Sequence, residues 1–133
     1  MAAHPSEFDT LLGEVGHWVR DVAIPAEEQV ERDDRIPDSL VDDMRRLGFF
    51  GWSIPREYGG AGLNCEQLVR AAMELSQAAT AFRARVGTNT GIGSEAIVAD
   101  GTPEQKQRFL PRLASGAATG CLALTEPEAG SDA

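Results

Sequence analysis

The stretch GTPEQKQRFLPRLASG, residues 101–116, carries the clearest structural signal in this chain. Thr102 suits a helix N-cap, Pro103 suits the first helical position, and Gln105 can return a hydrogen bond to the cap and so complete a capping box. The apolar residues behind this start recur at helical spacing and are predicted to be buried, namely Phe109, Leu110 and Leu113. The stretch therefore predicts an amphipathic helix.

The pattern changes after Gly116. Residues 121–124, CLAL, form a short apolar run that ends at Thr125, which predicts one strand entering a turn. A lone strand cannot satisfy its own backbone hydrogen bonds. We therefore expect residues 1–118 to form a helical domain, and residues 119–133 to begin a β-domain whose other strands are not in this chain.

Helical patterns also fill most of the chain before residue 101, so the predicted fold class is all-α, with five or six helices. The first helix starts at Phe8 and should end near Ile24, before Pro25. The others are expected over 25–34, from Pro37 to a stop at Gly48, from the capping box of Asn64 and Gln67, and over 80–99.

The segment GFFGWSIPREYGGAGLN, residues 48–64, interrupts this helical series. It holds five glycines and one proline, which is typical of a folded loop. Phe49, Phe50 and Trp52 are predicted to anchor that loop to the core.

The amino-acid composition limits the classes of function that this chain can have. A chain of 133 residues with 42% hydrophobic and 25% charged residues is typical of one compact globular domain. Its formal charge of -9 argues against nucleic acid and anionic membrane as partners, although backbone N–H groups could still hold a small phosphorylated ligand. We find no leader or membrane-spanning pattern and expect a cytoplasmic protein.

The cysteines and histidines show no metal-binding spacing. Cys65 and Cys121 are isolated, and we expect two buried or half-buried thiols, with no disulfide and no metal site. His4 and His17 have no ligand partners in the sequence.

The stretch VGTNTGIGSEAI, residues 86–97, is rich in glycine but does not follow a strand, so it is not a dinucleotide-binding fingerprint. Two interpretations remain: close packing of a helix on a neighbour, or a ligand lying against bare backbone.

The stretch TEPEAGSD, residues 125–132, predicts a tight turn whose N–H groups could receive a phosphate or the edge of a ring, with Thr125 and Ser131 as hydroxyl donors. A turn that binds nothing is the alternative. Acid pairs such as Glu126 and Glu128 have no positioned partner, so no catalytic residue is assigned on this chain.

Three stretches in this order, RIPDSLVDDMRRLGFFGWSIPREYGGAGLN, GTNTGIGSEAIVADGTPEQKQRFLPRLASG and CLALTEPEAGSDA, resemble the acyl-CoA dehydrogenase family. The resemblance runs from about Phe8 to the end. It implies a flavoenzyme with an N-terminal helical domain, a middle β-domain and a C-terminal helical bundle, assembled as a homotetramer. It also implies oxidation of the α,β bond of an acyl-CoA: a glutamate takes the α-proton, flavin N5 takes the β-hydride, and an electron-transferring flavoprotein reoxidises the FAD.

The same resemblance suggests which residues form the site. Thr125 matches the family's threonine beside flavin N5, and Ser131 matches a serine near the FAD pyrophosphate and the CoA arm. The residues expected at the cofactor are Leu122, Ala123, Leu124, Thr125, Gly130 and Ser131. The residues expected at the acyl substrate are Asn89, Gly91, Ile92, Ser94 and Ser131. The loop residues Tyr58, Gly59 and Gly60 are a family hallmark that we interpret as structural.

The family's base lies in the C-terminal bundle, and several FAD contacts come from a neighbouring subunit. We therefore expect this chain to be the N-terminal part of a longer enzyme, inactive alone, with weak or no FAD binding and an exposed strand edge that could make it dimerise. The alternatives are an acyl-CoA oxidase or flavin monooxygenase of the same fold, or a helical interaction module without cofactor.

Overall fold

The computed structural model describes residues 6–132, which fold as an all-helical domain. The helices are α1 (Glu7–Trp18), α2 (Ile24–Asp33), α3 (Asp38–Arg46), α4 (Cys65–Leu75), α5 (Thr80–Thr90), α6 (Glu95–Asp100) and α7 (Pro103–Ala114). Two 3-10 turns, Phe49–Gly51 and Arg56–Tyr58, lie between α3 and α4. The all-α class is confirmed. No helix among the described residues is both long and apolar enough to cross a membrane.

The sequence predicts one helix over residues 80–99, but the structure divides it into α5 and α6. Gly91 leaves the helical region with φ -142° and ψ -110°. Gly93 then donates its N–H to the carbonyl of Thr88 at 2.8 Å, and Ser94 donates to the carbonyl of Gly91 at 3.0 Å. Each glycine lowers helix stability by up to about 1 kcal/mol relative to alanine, and three of them close together end the helix.

The predicted end of the first helix before Pro25 is wrong. A π-helical turn over Val19–Ala23 joins α1 directly to α2, and Pro25 lies in the first turn of α2. A proline ring in a regular helix would clash with the carbonyl of the residue four positions earlier, here Asp21. We infer that the wider π turn gives the ring the room it needs.

Capping boxes start three of the helices. The predicted pairs Asn64 with Gln67 and Thr102 with Gln105 are both formed, with reciprocal side-chain-to-backbone hydrogen bonds of 2.8–3.3 Å. A third box, Ser6 with Asp9, begins α1 and was not predicted. Each box satisfies two N–H groups that a helix start leaves without a partner.

Aromatic rings from three elements form the centre of the main core. Trp18 of α1 packs edge-on against Phe49, with centroids 5.3 Å apart, and against Phe82 of α5, at 5.5 Å. Phe49, Phe50 and Trp52 are buried, as predicted for the loop anchors. Phe109 was predicted to be buried but is 37% exposed, because α7 turns only Leu110, Leu113 and Ala114 fully inward.

The 48–64 loop folds back on itself through main-chain hydrogen bonds. Ala61 donates to the carbonyl of Gly51 at 2.8 Å, and Leu63 donates to that of Trp52 at 2.8 Å. Gly60 lies where these two arms cross: a Cβ added there would clash with the carbonyl of Ile54 and stand 2.6 Å from that of Gly51. The loop therefore needs glycine at position 60 for close backbone packing.

One ion pair fastens this loop to the start of α1. The guanidinium of Arg56 donates to both carboxylate oxygens of Glu7, at 3.0 and 2.9 Å. These hydrogen bonds, and then the positive charge of Arg56, lower the pKa of Glu7 below its ordinary 4.5. Hydrogen bonds from Ser6 likewise lower the pKa of Asp9.

The predicted strand over residues 122–125 is not formed. Within residues 6–132 there is no β-strand, and residues 119–126 run without regular structure. The physical reason is that this apolar run is isolated in the sequence from any other strand pattern. A strand exists only in a ladder, and no described segment pairs with this one.

We predict that Gly60→Ala destabilises the domain by at least about 2 kcal/mol, because a methyl group there overlaps backbone carbonyls that cannot move independently. Gly59→Ala is the matched control: it has open space but a φ of +85°, so it should cost only about 1 kcal/mol. Urea unfolding followed by circular dichroism measures both. Equal losses would contradict the close-packing role.

A second prediction concerns acid pH. Because the folded-state pKa of Glu7 is lowered, its pairing stabilises the fold above pH 4.5, and that stabilisation is lost as the pH falls through the folded value. The stability difference between the unchanged protein and Arg56→Gln should therefore shrink as the pH drops below 4.5. Arg112→Gln removes an exposed arginine that forms no ion pair among the described residues, so it should not change the shape of the curve. Urea titrations at several pH values test this, and a constant difference would contradict it.

Candidate functional site

Residues 119–132, here called the tail, leave the helical body after α7 and lie largely on the surface. Leu122 is 58% exposed and Leu124 is 55% exposed. Ala123, Thr125 and Ser131 are also exposed, and Gly130 is half-buried. The residues expected at the cofactor therefore lie together on one accessible segment.

A hydrogen-bonded turn lies in the TEPEAG part of the tail and ends at Ala129, the first of the Ala129, Gly130 and Ser131 positions at which the sequence predicted a tight turn. Glu126 donates its N–H to the carbonyl of Ala129 at 2.7 Å, and Ala129 donates back to Glu126 at 3.4 Å. A Cβ added to Gly130 would contact the methyl group of Thr125 at 3.6 Å. The turn thus brings the two ends of TEPEAG side by side.

The tail presents groups suited to binding a flat ring system with polar edges. Among the described residues, the main-chain N–H and C=O groups of residues 121–125 make no hydrogen bond. The hydroxyl of Thr125 makes no hydrogen bond among the described residues, and it can both donate and accept one. Apolar side chains next to available N–H groups fit the face and the edge of a flavin, so the residues present are compatible with FAD.

The residues expected at the acyl substrate are not all accessible. Ile92 is 60% exposed and Gly91 is half-buried, but Asn89 and Ser94 have no exposed surface. The hydroxyl of Ser94 is buried with no hydrogen-bond partner among the described residues. Only Gly91 and Ile92 of the α5–α6 turn could therefore touch a ligand directly in this arrangement.

Asn89 is instead a connector inside the fold. Its Nδ2 donates to the carbonyls of Leu113 and Ala118, both at 2.9 Å, and its Oδ1 accepts the N–H of Gly120 at 2.8 Å. The amide therefore joins α5 to the end of α7 and to the tail.

Several grooves open on the surface of the described residues, and two of them lie beside α5. A cavity of 250 Å³ lies between α4 and α5, and Gly91 is the only predicted substrate residue on it; its apolar lining includes Leu68, Val69, Ala72, Val86 and Gly87. A wider cavity of 720 Å³ lies between α2, α3 and α5 and is lined mainly by charged residues such as Glu31, Arg35, Asp38, Arg45 and Arg85. No predicted site residue lines the wider one.

The prediction of buried thiols is wrong, since Cys65 and Cys121 are both exposed. Cys65 is the first residue of α4, and Cys121 lies on the tail. His17 is exposed on α1, and His4 lies outside the described residues. In the part of the chain that the structure describes, no three His, Cys, Asp or Glu side chains gather as metal ligands would.

Comparison with known protein families shows which family this chain resembles. The family described as "Acyl-CoA dehydrogenase, N-terminal domain" matches residues 5–117 of this chain.

The chain belongs to the acyl-CoA dehydrogenase family.

A Bacillus subtilis acyl-CoA dehydrogenase is 39% identical over 119 residues, which cover 90% of this chain and 31% of that protein. The solved structure of an acyl-CoA dehydrogenase from Bacillus anthracis complexed with FAD superposes with a TM-score of 0.81 at 34% identity, over 97% of this chain and 22% of that one. A chain in the structure of the electron transferring flavoprotein of Acidaminococcus fermentans gives 0.83 at 30% identity, covering 99% and 35%. The chain thus spans about a third or less of the length of these relatives.

Two contacts that hold the tail against the helices were not predicted from the sequence. Gly93 and Gly120 meet backbone to backbone, since a Cβ on either would stand 2.7 Å from the other's Cα. The guanidinium of Arg85 donates to the hydroxyl of Thr119 at 2.7 Å. The glycine-rich composition of 86–97 indicated close packing, but nothing in the sequence indicated the partner.

We predict that both thiols react with DTNB in the folded protein, because both side chains are exposed. Native protein should release two equivalents of thionitrobenzoate, the same number as in denaturant. Cys65→Ser and Cys121→Ser should each remove one equivalent. A thiol that reacts only after unfolding would contradict the exposed positions.

Proposed function

We propose that this chain supplies the N-terminal helical domain, and with residues 119–133 the start of the middle domain, of an FAD-dependent acyl-CoA dehydrogenase. The observation that carries the proposal is the family match over residues 5–117, directly followed by an accessible tail with an intact TEPEAGSD stretch. The reaction would remove hydrogen from the α and β carbons of an acyl-CoA thioester.

The tail would form one edge of the flavin site. Leu122, Ala123 and Leu124 would offer their main-chain groups and apolar surface, and the Thr125 hydroxyl would hydrogen-bond to the ring. FAD, when bound, supplies a two-electron acceptor for the substrate hydride. Gly130 and Ser131 would contribute N–H and hydroxyl donors to its pyrophosphate.

The α5–α6 turn would form part of the acyl wall. Gly91 and Ile92 are accessible there, whereas Asn89 and Ser94 would act from behind by holding the turn in place. Ser131 would reach toward the CoA arm. No carboxylate among residues 6–132 is buried beside this turn. As the family resemblance implies, the α-proton base would come from a C-terminal helical bundle.

The electron acceptor would be an electron-transferring flavoprotein, and the assembled enzyme would be a homo-oligomer. An oxidase of the same fold would instead pass electrons to oxygen. One preparation of the protein is enough to test both electron acceptors, the flavoprotein and oxygen.

The test uses the longest natural gene product that contains this chain. It should purify with bound FAD, and anaerobic addition of acyl-CoA thioesters should bleach the flavin absorbance. Reoxidation by an electron-transferring flavoprotein, and slow reoxidation by air, is the expected result; rapid air oxidation with peroxide release would identify an oxidase. A protein that neither binds FAD nor regains it on reconstitution would refute the proposal.

We further predict that Thr125→Val lowers the rate of flavin reduction by about tenfold, since one lost hydrogen bond of about 1.4 kcal/mol has that effect. Thr125→Ser keeps the hydroxyl and should stay near the unchanged rate. Stopped-flow absorbance measures both variants at equal FAD content. Equal rates in Thr125→Val and the unchanged protein would exclude the proposed role of the hydroxyl.

A further inference from the structure

The Asn89 side chain holds together three parts of the chain that no regular structure joins. It lies at the last turn of α5 with no exposed surface, and its two N–H groups and its oxygen are all bonded to main-chain groups. The bonded carbonyls belong to Leu113 and Ala118, and the bonded N–H belongs to Gly120. One amide thus fixes α5, the end of α7 and the first residues of the tail.

A backbone contact beside this amide supports the same geometry. Gly93, in the α5–α6 turn, touches Gly120, with 2.7 Å between the Cα of each and a Cβ built on the other. The turn expected at the acyl group and the tail expected at the flavin are therefore in direct contact. Asn89 lies behind this contact and bonds to Gly120 itself.

We propose that Asn89 is a positioning residue that sets the register of the tail against the α5–α6 turn, and so the placement of substrate relative to flavin. This inference rests on the proposed function for its consequence in the reaction, although the register itself concerns the chain alone. Gly120 is five residues before Thr125 in a segment without regular structure. A slip of one residue there would move the following residues by up to about 3.6 Å along the chain.

The bonding pattern separates this role from simple core filling. Thr90, the next residue, is also buried, but its hydroxyl donates to the carbonyl of Val86 within α5. Loss of the Thr90 hydroxyl removes a bond inside one helix. Loss of the Asn89 amide removes the bonds to the Ala118 carbonyl and the Gly120 N–H, whereas the Leu113 carbonyl still accepts the N–H of Gly116 at 3.0 Å. The two substitutions should therefore have different local effects.

The first experiment measures hydrogen exchange at the tail amides of the 133-residue chain by mass spectrometry, for Asn89→Leu and for the control Thr90→Val. Asn89→Leu should speed exchange at the Gly120 amide, whose N–H bonds to Asn89, by about tenfold or more, the factor expected when one or two hydrogen bonds are lost. Thr90→Val should leave exchange there unchanged. Unchanged exchange in Asn89→Leu would overturn the proposal.

A second variant, placed on the tail, shows whether the effect of Asn89→Leu comes from misfolding of α5. Gly120→Ala places a methyl group against Gly93 and leaves α5 intact. It should raise tail exchange as Asn89→Leu does, while amides inside α5 stay protected. If tail exchange rises only together with exchange throughout α5 in both variants, then Asn89 is merely structural and the proposal fails.

The second experiment follows the reaction in the longest natural gene product. At equal FAD content, Asn89→Leu should lower the rate of flavin reduction by acyl-CoA at least tenfold, the effect of about 1.4 kcal/mol, with less change in the substrate KM. An unchanged reduction rate despite a mobile tail would overturn the positioning role. Absence of FAD from the unchanged protein would instead refute the proposed function, and the exchange experiment would then decide the register claim by itself.

Discussion

The rest of the fold depends on the edge-on packing of Trp18 against Phe49 and Phe82. These rings come from α1, the 48–64 loop and α5, so their contact determines where α5 lies. The indole N–H of Trp18 is buried without a partner among the described residues, which costs about 1–3 kcal/mol. Burial of three large rings, each contributing about 1.5–3 kcal/mol and more through their edge contacts, outweighs that cost.

Helical side chains extend this fixed geometry into the irregular part of the chain. Arg45 of α3 donates to the carbonyl of Gly116 at 3.1 Å, and Arg85 of α5 donates to Thr119 at 2.7 Å. Together with Asn89, they bond to the chain between α7 and the exposed part of the tail. A segment without its own ladder of hydrogen bonds can be well placed when rigid helices supply its partners.

Local chemistry made the helices and their starts predictable, whereas contacts distant in sequence were not. The boxes at Asn64 and Thr102 involve residues three apart, so composition and spacing were sufficient. The π turn before Pro25 and the burial of Asn89 depend on contacts between segments that are distant in the sequence. Residue spacing within one segment does not reveal such contacts. The predicted strand is absent for another reason: a strand needs a partner in a ladder, and no described segment supplies one.

The charge of the tail determines what it can bind by itself. It carries Glu126, Glu128 and Asp132 and no Lys or Arg, so every formal charge on it is negative. Repulsion between these carboxylates and a bound phosphate would offset part of the gain from main-chain hydrogen bonds, each worth about 1.5–3 kcal/mol to a charged group. If the proposed function holds, a pyrophosphate at Gly130 and Ser131 would therefore gain from cationic groups outside the tail. On the proposed function, the tail contributes shape and register to a flavin site, and the affinity for FAD must come from the segments that complete it.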